Sequence, residues 1–254
     1  MMFLTDKVVI ITGASSGIGR ATANKMAEQG AKIVVADFNE AGGQETVDQI
    51  VSTGGKAVFI KVDVSIQEQV ENAVNFAVEQ YGRLDVMFNN AGFGITKPFI
   101  EHDPVTYNKV VSVNQHGVYY GMYFAARKMV ELGIKGVIIN TASALGMMAS
   151  SYKVSYNASK GAVVMMTKSA ALDLAQYGIR VVGIAPGGVD TPILDQAKVR
   201  DGVEEQIKKL HMRKVLLDSE ELANVAAFLA SESASGINGQ IINVDDGFTS
   251  FKSW

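Results

Sequence analysis

Val8-Val9-Ile10-Ile11-Thr12-Gly13-Ala14-Ser15-Ser16-Gly17-Ile18-Gly19 is the stretch whose reading decides the fold. Its first four residues form a short unbroken apolar run, which reads as a strand buried on both faces, as in a parallel sheet. A glycine-rich octet follows at once. Residues 20–29 then have helical composition and stop at Gly30. Strand, glycine turn and helix in this order are the context of a dinucleotide site. The glycines let the backbone approach a pyrophosphate, and the helix start offers free N–H groups and the positive end of a dipole. The spacing is G-x-x-x-G-x-G, not the commoner G-x-G-x-x-G. A plain tight turn is the alternative for such a triplet taken alone. The flanking strand and helix favour binding, with Gly13, Ser15, Ser16, Gly17, Ile18 and Gly19 as the candidate contacts.

Outward from this stretch, residues 32–36 read as a second strand ending on Asp37, with Phe38 beside it. An acidic residue about 20 positions beyond the glycine turn is placed to accept hydrogen bonds from an adenosine ribose. It also repels a 2′-phosphate, and no Lys or Arg lies between Gly13 and Gly19 or just after Asp37. NAD is therefore expected over NADP. The alternative is that Asp37 caps the next helix.

Strand and helix then alternate along the chain. Helices are expected over 40–53, 66–81, 155–176 and 219–229 (with Ser219 as N-cap), and a long, mostly helical stretch over 103–132. Strands are expected over 57–60, 84–88, within 134–139, over 179–185 and over 240–244. This pattern predicts an α/β fold: a doubly wound parallel sheet with helices on both faces and right-handed crossovers. No repeat, low-complexity run or linker breaks it, so residues 1–254 are read as a single domain. Ser143 falls at the carboxyl end of a strand, where open α/β sheets keep their sites. Residues 190–214 are charged and lack strand character, which suits a substrate lid; a plain solvated helix is the alternative.

Tyr156 and Lys160 stand four apart on a helical stretch, so they share one face. Of the eight tyrosines, only Tyr156 has Lys at i+4. An adjacent ammonium favours the phenolate, so Lys160 is expected to lower the Tyr156 pKa and make it a general acid/base near neutrality.

Bulk composition narrows the field. The net charge is -3 and the pI ≈ 5.7, which argues against nucleic-acid partners and polybasic membrane contacts. There is no Cys, and the three His (His102, His116, His211) lack metal-ligand spacing, so no metal is expected and each His reads as surface or packing. The opening residues do not read as a signal peptide and no run is apolar enough to span a membrane, so a cytoplasmic location is expected.

Taken together, these motifs resemble the short-chain dehydrogenase/reductase family in its compact form of about 250 residues. Residues 12–19 match TGxxxGxG, Asn89-Asn90-Ala91-Gly92 matches NNAG, and Asn114, Ser143, Tyr156 and Lys160 match the catalytic tetrad. Asp63 matches the acidic residue at the adenine, and Pro186-Gly187 with Thr191 matches the segment beside the nicotinamide. Asp245-Asp246-Gly247 departs from the usual Asp-Gly-Gly. The resemblance implies a seven-stranded Rossmann sheet in the order 3-2-1-4-5-6-7, and homodimers or homotetramers in which the helices bearing Asn114 and Tyr156 pack between subunits. It implies hydride transfer between NAD(H) and a secondary alcohol or ketone. Ser143 would hold the substrate oxygen, Tyr156 would move the proton, Lys160 would bind the nicotinamide ribose, and Asn114 would hold a relay water. Asp63 and Val64 would meet the adenine, Asn90 (with Ala91 and Gly92) the adenine-side ribose region, and Val189 and Thr191 the carboxamide. Substrates compatible with the family run from small diols and hydroxyketones through sugars such as glucose to 3-oxoacyl thioesters and steroids. Phe93, Ile95, Leu145, Met147, Met148 and Ile193 follow strand ends and are expected near the pocket. The other classes weighed are an NAD(H)-binding regulatory protein and a Rossmann methyltransferase.

Overall fold

The structure, a computed structural model, describes residues 2–192, 194 and 202–250. The strands are β1 (Val8–Thr12), β2 (Lys32–Asp37), β3 (Lys56–Lys61), β4 (Val86–Asn89), β5 (Val137–Thr141), β6 (Arg180–Pro186) and β7 (Ile241–Val244). They form one seven-stranded sheet in the order β3-β2-β1-β4-β5-β6-β7, and every pairing is parallel. The expected doubly wound architecture and strand order are both found. The order reverses between β1 and β4, which pair through Val9↔Val86 and Ile11↔Phe88. That reversal opens a crevice at the carboxyl ends of the strands.

Period-two alternation sends each strand's residues into two cores. On one face Val8, Ile10, Val34, Met87 and Ile138 pack with α3 (Gln67–Tyr81), α5 (Gly117–Glu131) and α6 (Val154–Leu174). On the other, Val9, Ile11, Ile33, Phe88 and Ile139 pack with α1 (Gly17–Glu28), α2 (Glu40–Ser52) and α8 (Ser219–Ala230). The unbroken apolar runs of the sequence are thus strands covered on both sides. The edge strand β3 is the exception: its interior is only partly buried and its ends carry Lys56 and Lys61, charges that blunt an open edge.

Several boundaries differ from the sequence reading, each for a local reason. Helix α1 begins at Gly17, so the last two glycines of the turn form its first turn. The fifth strand takes only the end of the 134–139 stretch and runs on to Thr141, because Gly133 (φ +64) is left-handed and the Ile134 N–H closes α5 by bonding Met129 O at 2.8 Å. The long, mostly helical stretch 103–132 is divided into three pieces. It is α4 (Pro104–Val111), a five-residue π segment (Ser112–His116) and α5. Ser219 is not the N-cap of α8; Asp218 is, in a capping box with Glu221. Asp246 stands at φ +45, a left-handed position that Asp tolerates better than most residues. Its carboxylate also accepts from the Arg213 N–H at 2.7 Å, so the Asp245-Asp246-Gly247 departure is a turn with its own brace. Of the expected lid, the described part contains α7 (Val203–Lys209); residues 193 and 195–201 lie outside the described residues.

Candidate active site

The glycine turn is held shut from below. Thr12 Oγ1 accepts from the backbone N–H of Asn90 (3.0 Å) and Ala91 (3.1 Å). The Asn90 amide donates to Thr12 O at 3.1 Å and Gly13 O at 3.4 Å, and its Oδ1 accepts from Thr141 Oγ1 at 3.3 Å. Asn90 therefore braces β1, β4 and β5 at the crevice, and its side chain is occupied by the chain itself. A Cβ on Gly13, which sits at φ +67, would come within 2.8 Å of Ala91 Cα, and one on Gly19 would collide with Gly13 O. Both glycines are required by close backbone approach. The N-terminus of α1 has no side-chain cap and no acidic residue in its first turn. Helices α2, α4 and α8 are capped by Asn39, Asp103 and Asp218, whereas α3, α6 and α7 also start uncapped, so it is the glycine cradle that sets the α1 start apart. An uncapped helix start beside a glycine cradle is chemistry suited to a pyrophosphate.

Asp37 ends β2 almost fully buried. One carboxylate oxygen accepts from the Ser15 N–H and the other from the Asn39 N–H, at 2.9 and 2.8 Å. It does not cap α2; Asn39 does, accepting from the Gly42 N–H at 3.2 Å. Phe38 beside it is 71% exposed, an apolar plate open mostly to solvent. Arg20, the first cation after the glycines, is committed to Thr46, Ser15 O, Gly42 O and Glu45. Asp63 is exposed with its carboxylate turned back on Ser65, and Val64 is buried beneath it.

Ser143, Tyr156 and Lys160 come together where β5 ends and α6 begins. Ser143 is buried and its Oγ accepts from the Leu145 N–H at 3.1 Å. Lys160 is buried, and its ammonium donates to Thr141 O at 2.6 Å. It stands 5.9 Å from the Tyr156 ring centroid, as does that of Lys153. Burial pushes the Lys160 pKa down to about 8. Tyr156 departs from the sequence expectation. Burial raises its pKa, and the opposing influence is a hydrogen bond with Ser143 rather than the charge of Lys160. The reason is that removing a phenolate from water costs more than a cation already bonded to a carbonyl returns.

Asn114 lies fully buried in the π segment. Its Oδ1 accepts from the Phe93 N–H at 3.0 Å, and its Nδ2 donates to Phe93 O (2.8 Å) and Ser159 Oγ (3.3 Å). The amide thus stitches the loop after β4 to α6. A Cβ on Gly92 would lie 3.1 Å from Asn114 Oδ1 and 3.5 Å from Lys160 Nζ, and one on Gly94 would lie 3.3 Å from the Tyr156 ring. These two glycines leave room between the tetrad members and the loop that faces them. Phe93, Ile95 and Leu145 are partly buried nearby in the chain, while Met147 and Met148 are more than two-fifths exposed; Ile193 lies outside the described residues.

The loop after β6 completes the crevice. A Cβ on Gly17 would lie 3.2 Å from Thr191 Cγ2, so Thr191 reaches the glycine turn, and Thr191 Oγ1 donates to Val189 O at 3.3 Å. Val189 is buried and bridges to Leu217. One residue here escaped the sequence reading. His211 is neither surface nor plain packing: it is fully buried, its Nε2 accepts from the Gly188 N–H at 3.0 Å, and its Nδ1 bonds Val215 O. No motif or spacing marks it.

The sheet order and the glycine turn define a Rossmann-type fold, with Ser143, Tyr156 and Lys160 gathered at the carboxyl end of β5. A family model described as enoyl-(acyl carrier protein) reductase matches residues 13–249. A 2,5-dichloro-2,5-cyclohexadiene-1,4-diol dehydrogenase of Sphingobium indicum is 39% identical over 246 residues, covering 97% of each chain. A cyclohexanol dehydrogenase of Acinetobacter sp. is 39% identical, covering 96% of each. A short-chain type dehydrogenase/reductase from Mycobacterium marinum superimposes with a TM-score of 0.94 at 32% identity, covering 98% of each chain. The chain belongs to the short-chain dehydrogenase/reductase family. It is an oxidoreductase of CH–OH groups that uses a nicotinamide cofactor. Among the described residues no helix is long and apolar enough to cross a membrane.

Proposed function

We propose that the protein is an NAD(H)-dependent dehydrogenase of cyclic secondary alcohols, with residues 1–254 acting as one domain. The observation that carries the chemistry is the convergence of Ser143, Tyr156 and Lys160 at the carboxyl end of β5, with Gly92 and Gly94 clearing space against Lys160 and Tyr156. The nicotinamide, when bound, supplies or accepts the hydride. The chain supplies position and proton transfer. Ser143 holds the substrate oxygen. Tyr156 takes the hydroxyl proton in oxidation and returns it in reduction. Lys160 places a buried charge at the ribose side of the site, and Asn114 fixes the loop that closes over it. Gly13, Ser15, Ser16, Gly17, Ile18 and Gly19 with the open start of α1 take the pyrophosphate. Asp37 and Phe38 take the adenosine ribose and ring, with Asp63 and Val64 at the adenine. Asn90, Ala91 and Gly92 form the floor, and Pro186, Gly187, Val189 and Thr191 the nicotinamide side.

NAD over NADP follows from Asp37: a buried carboxylate repels a 2′-phosphate, and Arg20 is already bonded elsewhere. The cyclic alcohol follows from the two relatives' substrates and from the apolar character of Phe93, Ile95, Leu145, Met147 and Met148 along the approach. A second copy of the chain is the expected partner. Tyr119, Tyr123 and Val130 on α5 and Met165 and Leu172 on α6 are all at least two-fifths exposed, an apolar face of the kind that oligomers cover. A cytoplasmic location is part of this reading. The test is binding and turnover side by side. NADH should bind more tightly than NADPH, Asp37→Ser should narrow that gap, and cyclohexanol should be oxidised with NAD. Preference for NADPH in the wild type would remove the cofactor assignment, and turnover of glucose alone would remove the substrate class.

A further inference from the structure

His211 sits where three segments meet. The first is the 186–191 loop. Gly188 N–H donates to Nε2, and a Cβ on Gly187 would lie 2.8 Å from that nitrogen and one on Gly188 3.2 Å from Cε1. The imidazole thus packs directly against both glycines, sharing that contact with Asp245 at Gly187 and with Ile207, closer still, at Gly188. The second is the turn after α7, where Val215 O bonds Nδ1. The third is the segment after β7, where Phe248 meets the ring edge-on at 6.0 Å. Acceptance at Nε2 and donation from Nδ1 define one neutral tautomer. A protonated ring donates from both nitrogens, so Nε2 would face the Gly188 N–H with a second proton and the bond would be lost.

We propose that neutral His211 is the positioning residue that holds the 186–191 loop in its cofactor-binding shape, and that protonating it releases the loop and weakens cofactor binding. This rests on the reading of that loop as the nicotinamide side of the site. The charges around it are engaged. Lys208 on α7 pairs with Glu204 and Glu205, each at 2.8 Å, and Lys214 donates to Lys209 O. Arg213 pairs with Glu221 and Asp246, and Asp245 is bonded to Gly247 and Thr249. Asp190, in the loop itself, is exposed to solvent. No described carboxylate is hydrogen-bonded to the ring; Asp246 interacts with it through charge alone and is itself paired with Arg213.

The test is NADH binding by fluorescence in a pH series that runs from neutral into acid. The wild type should weaken toward acid by up to about tenfold per pH unit once the ring is charged, since binding then displaces one proton. His211→Gln keeps an acceptor near Nε2 but does not titrate. It should bind like the wild type at the upper end and lose the acid weakening. Acid weakening unchanged in His211→Gln would overturn the proposal. Should that variant not fold, histidine NMR on the wild type decides. By linkage, saturating NADH must shift the His211 titration to lower pH; an identical titration with and without NADH would overturn the proposal. NADH binding absent at every pH would instead sink the cofactor reading, and this inference with it.

Discussion

At the scale of single residues, the burial of Tyr156 sets the pH behaviour. Its pKa lies above the ordinary tyrosine value, because burial disfavours the phenolate and only the Ser143 hydrogen bond opposes it. Reduction needs the protonated phenol, so it should hold its rate through neutral pH. Oxidation needs a proton acceptor, so it should climb with pH across the alkaline range. Ser143→Ala removes the one opposing influence. It should move the oxidation limb to higher pH and cut turnover by about 10²–10³-fold, the loss typical of one transition-state donor; stopped-flow rates across pH check both. Gly19→Ala tests the cradle. Its methyl would strike Gly13 O and press on Asn90, so the melting temperature and NADH affinity should fall together. The tetrad, the glycines and Asp37 were legible as residue types at fixed spacings. The raised pKa of Tyr156 in the chain alone was not, because desolvation depends on neighbours from distant segments.

At the scale of elements, α6 carries a conflict between stability and function. Lys160 is fully inside, with a pKa pushed down to about 8 by burial. A lysine whose folded pKa is below its unfolded value costs stability while charged. That cost is lost as pH rises from about 8 toward the unfolded value near 10.4. Wild type should therefore gain stability relative to Lys160→Met over that window, by about 1 kcal/mol per pH unit. Denaturant melts at several pH values would show a flat difference if the ammonium were solvated. The π segment is the other element-scale feature. It turns Asn114 inward to bond Phe93 and Ser159, and Asn114→Leu should loosen the loop after β4 and raise KM more than it changes the melting temperature. Helical periodicity over 103–132 could not reveal this widening, since one inserted residue leaves the apolar pattern nearly intact. Likewise Ile134 looked like strand because it is apolar, yet its N–H serves to end α5.

At the scale of the whole molecule, the alternation of buried runs and amphipathic stretches was enough to read the sheet, and the strand order followed from the family resemblance. What sequence order could not supply was the meeting of the 186–191 loop, the turn after α7 and the segment after β7 around His211. These lie more than twenty positions apart in the chain and share no motif. The exposed apolar face of α5 and α6 belongs to this scale too. Leu172→Asp, at 80% exposure in the isolated chain, should shift sedimentation toward the monomer; an unchanged assembly would place the interface elsewhere. The measurement that bears most directly on the enzyme as a whole is oxidation of cyclohexanol with NAD by wild type and Tyr156→Phe, followed by absorbance, with NADH binding measured on both. The account predicts turnover in the wild type and a loss of at least about 10²-fold in the variant, with NADH affinity within a few-fold of wild type. A variant that still turned over at the wild-type rate would contradict the assignment of Tyr156 as the group that moves the proton.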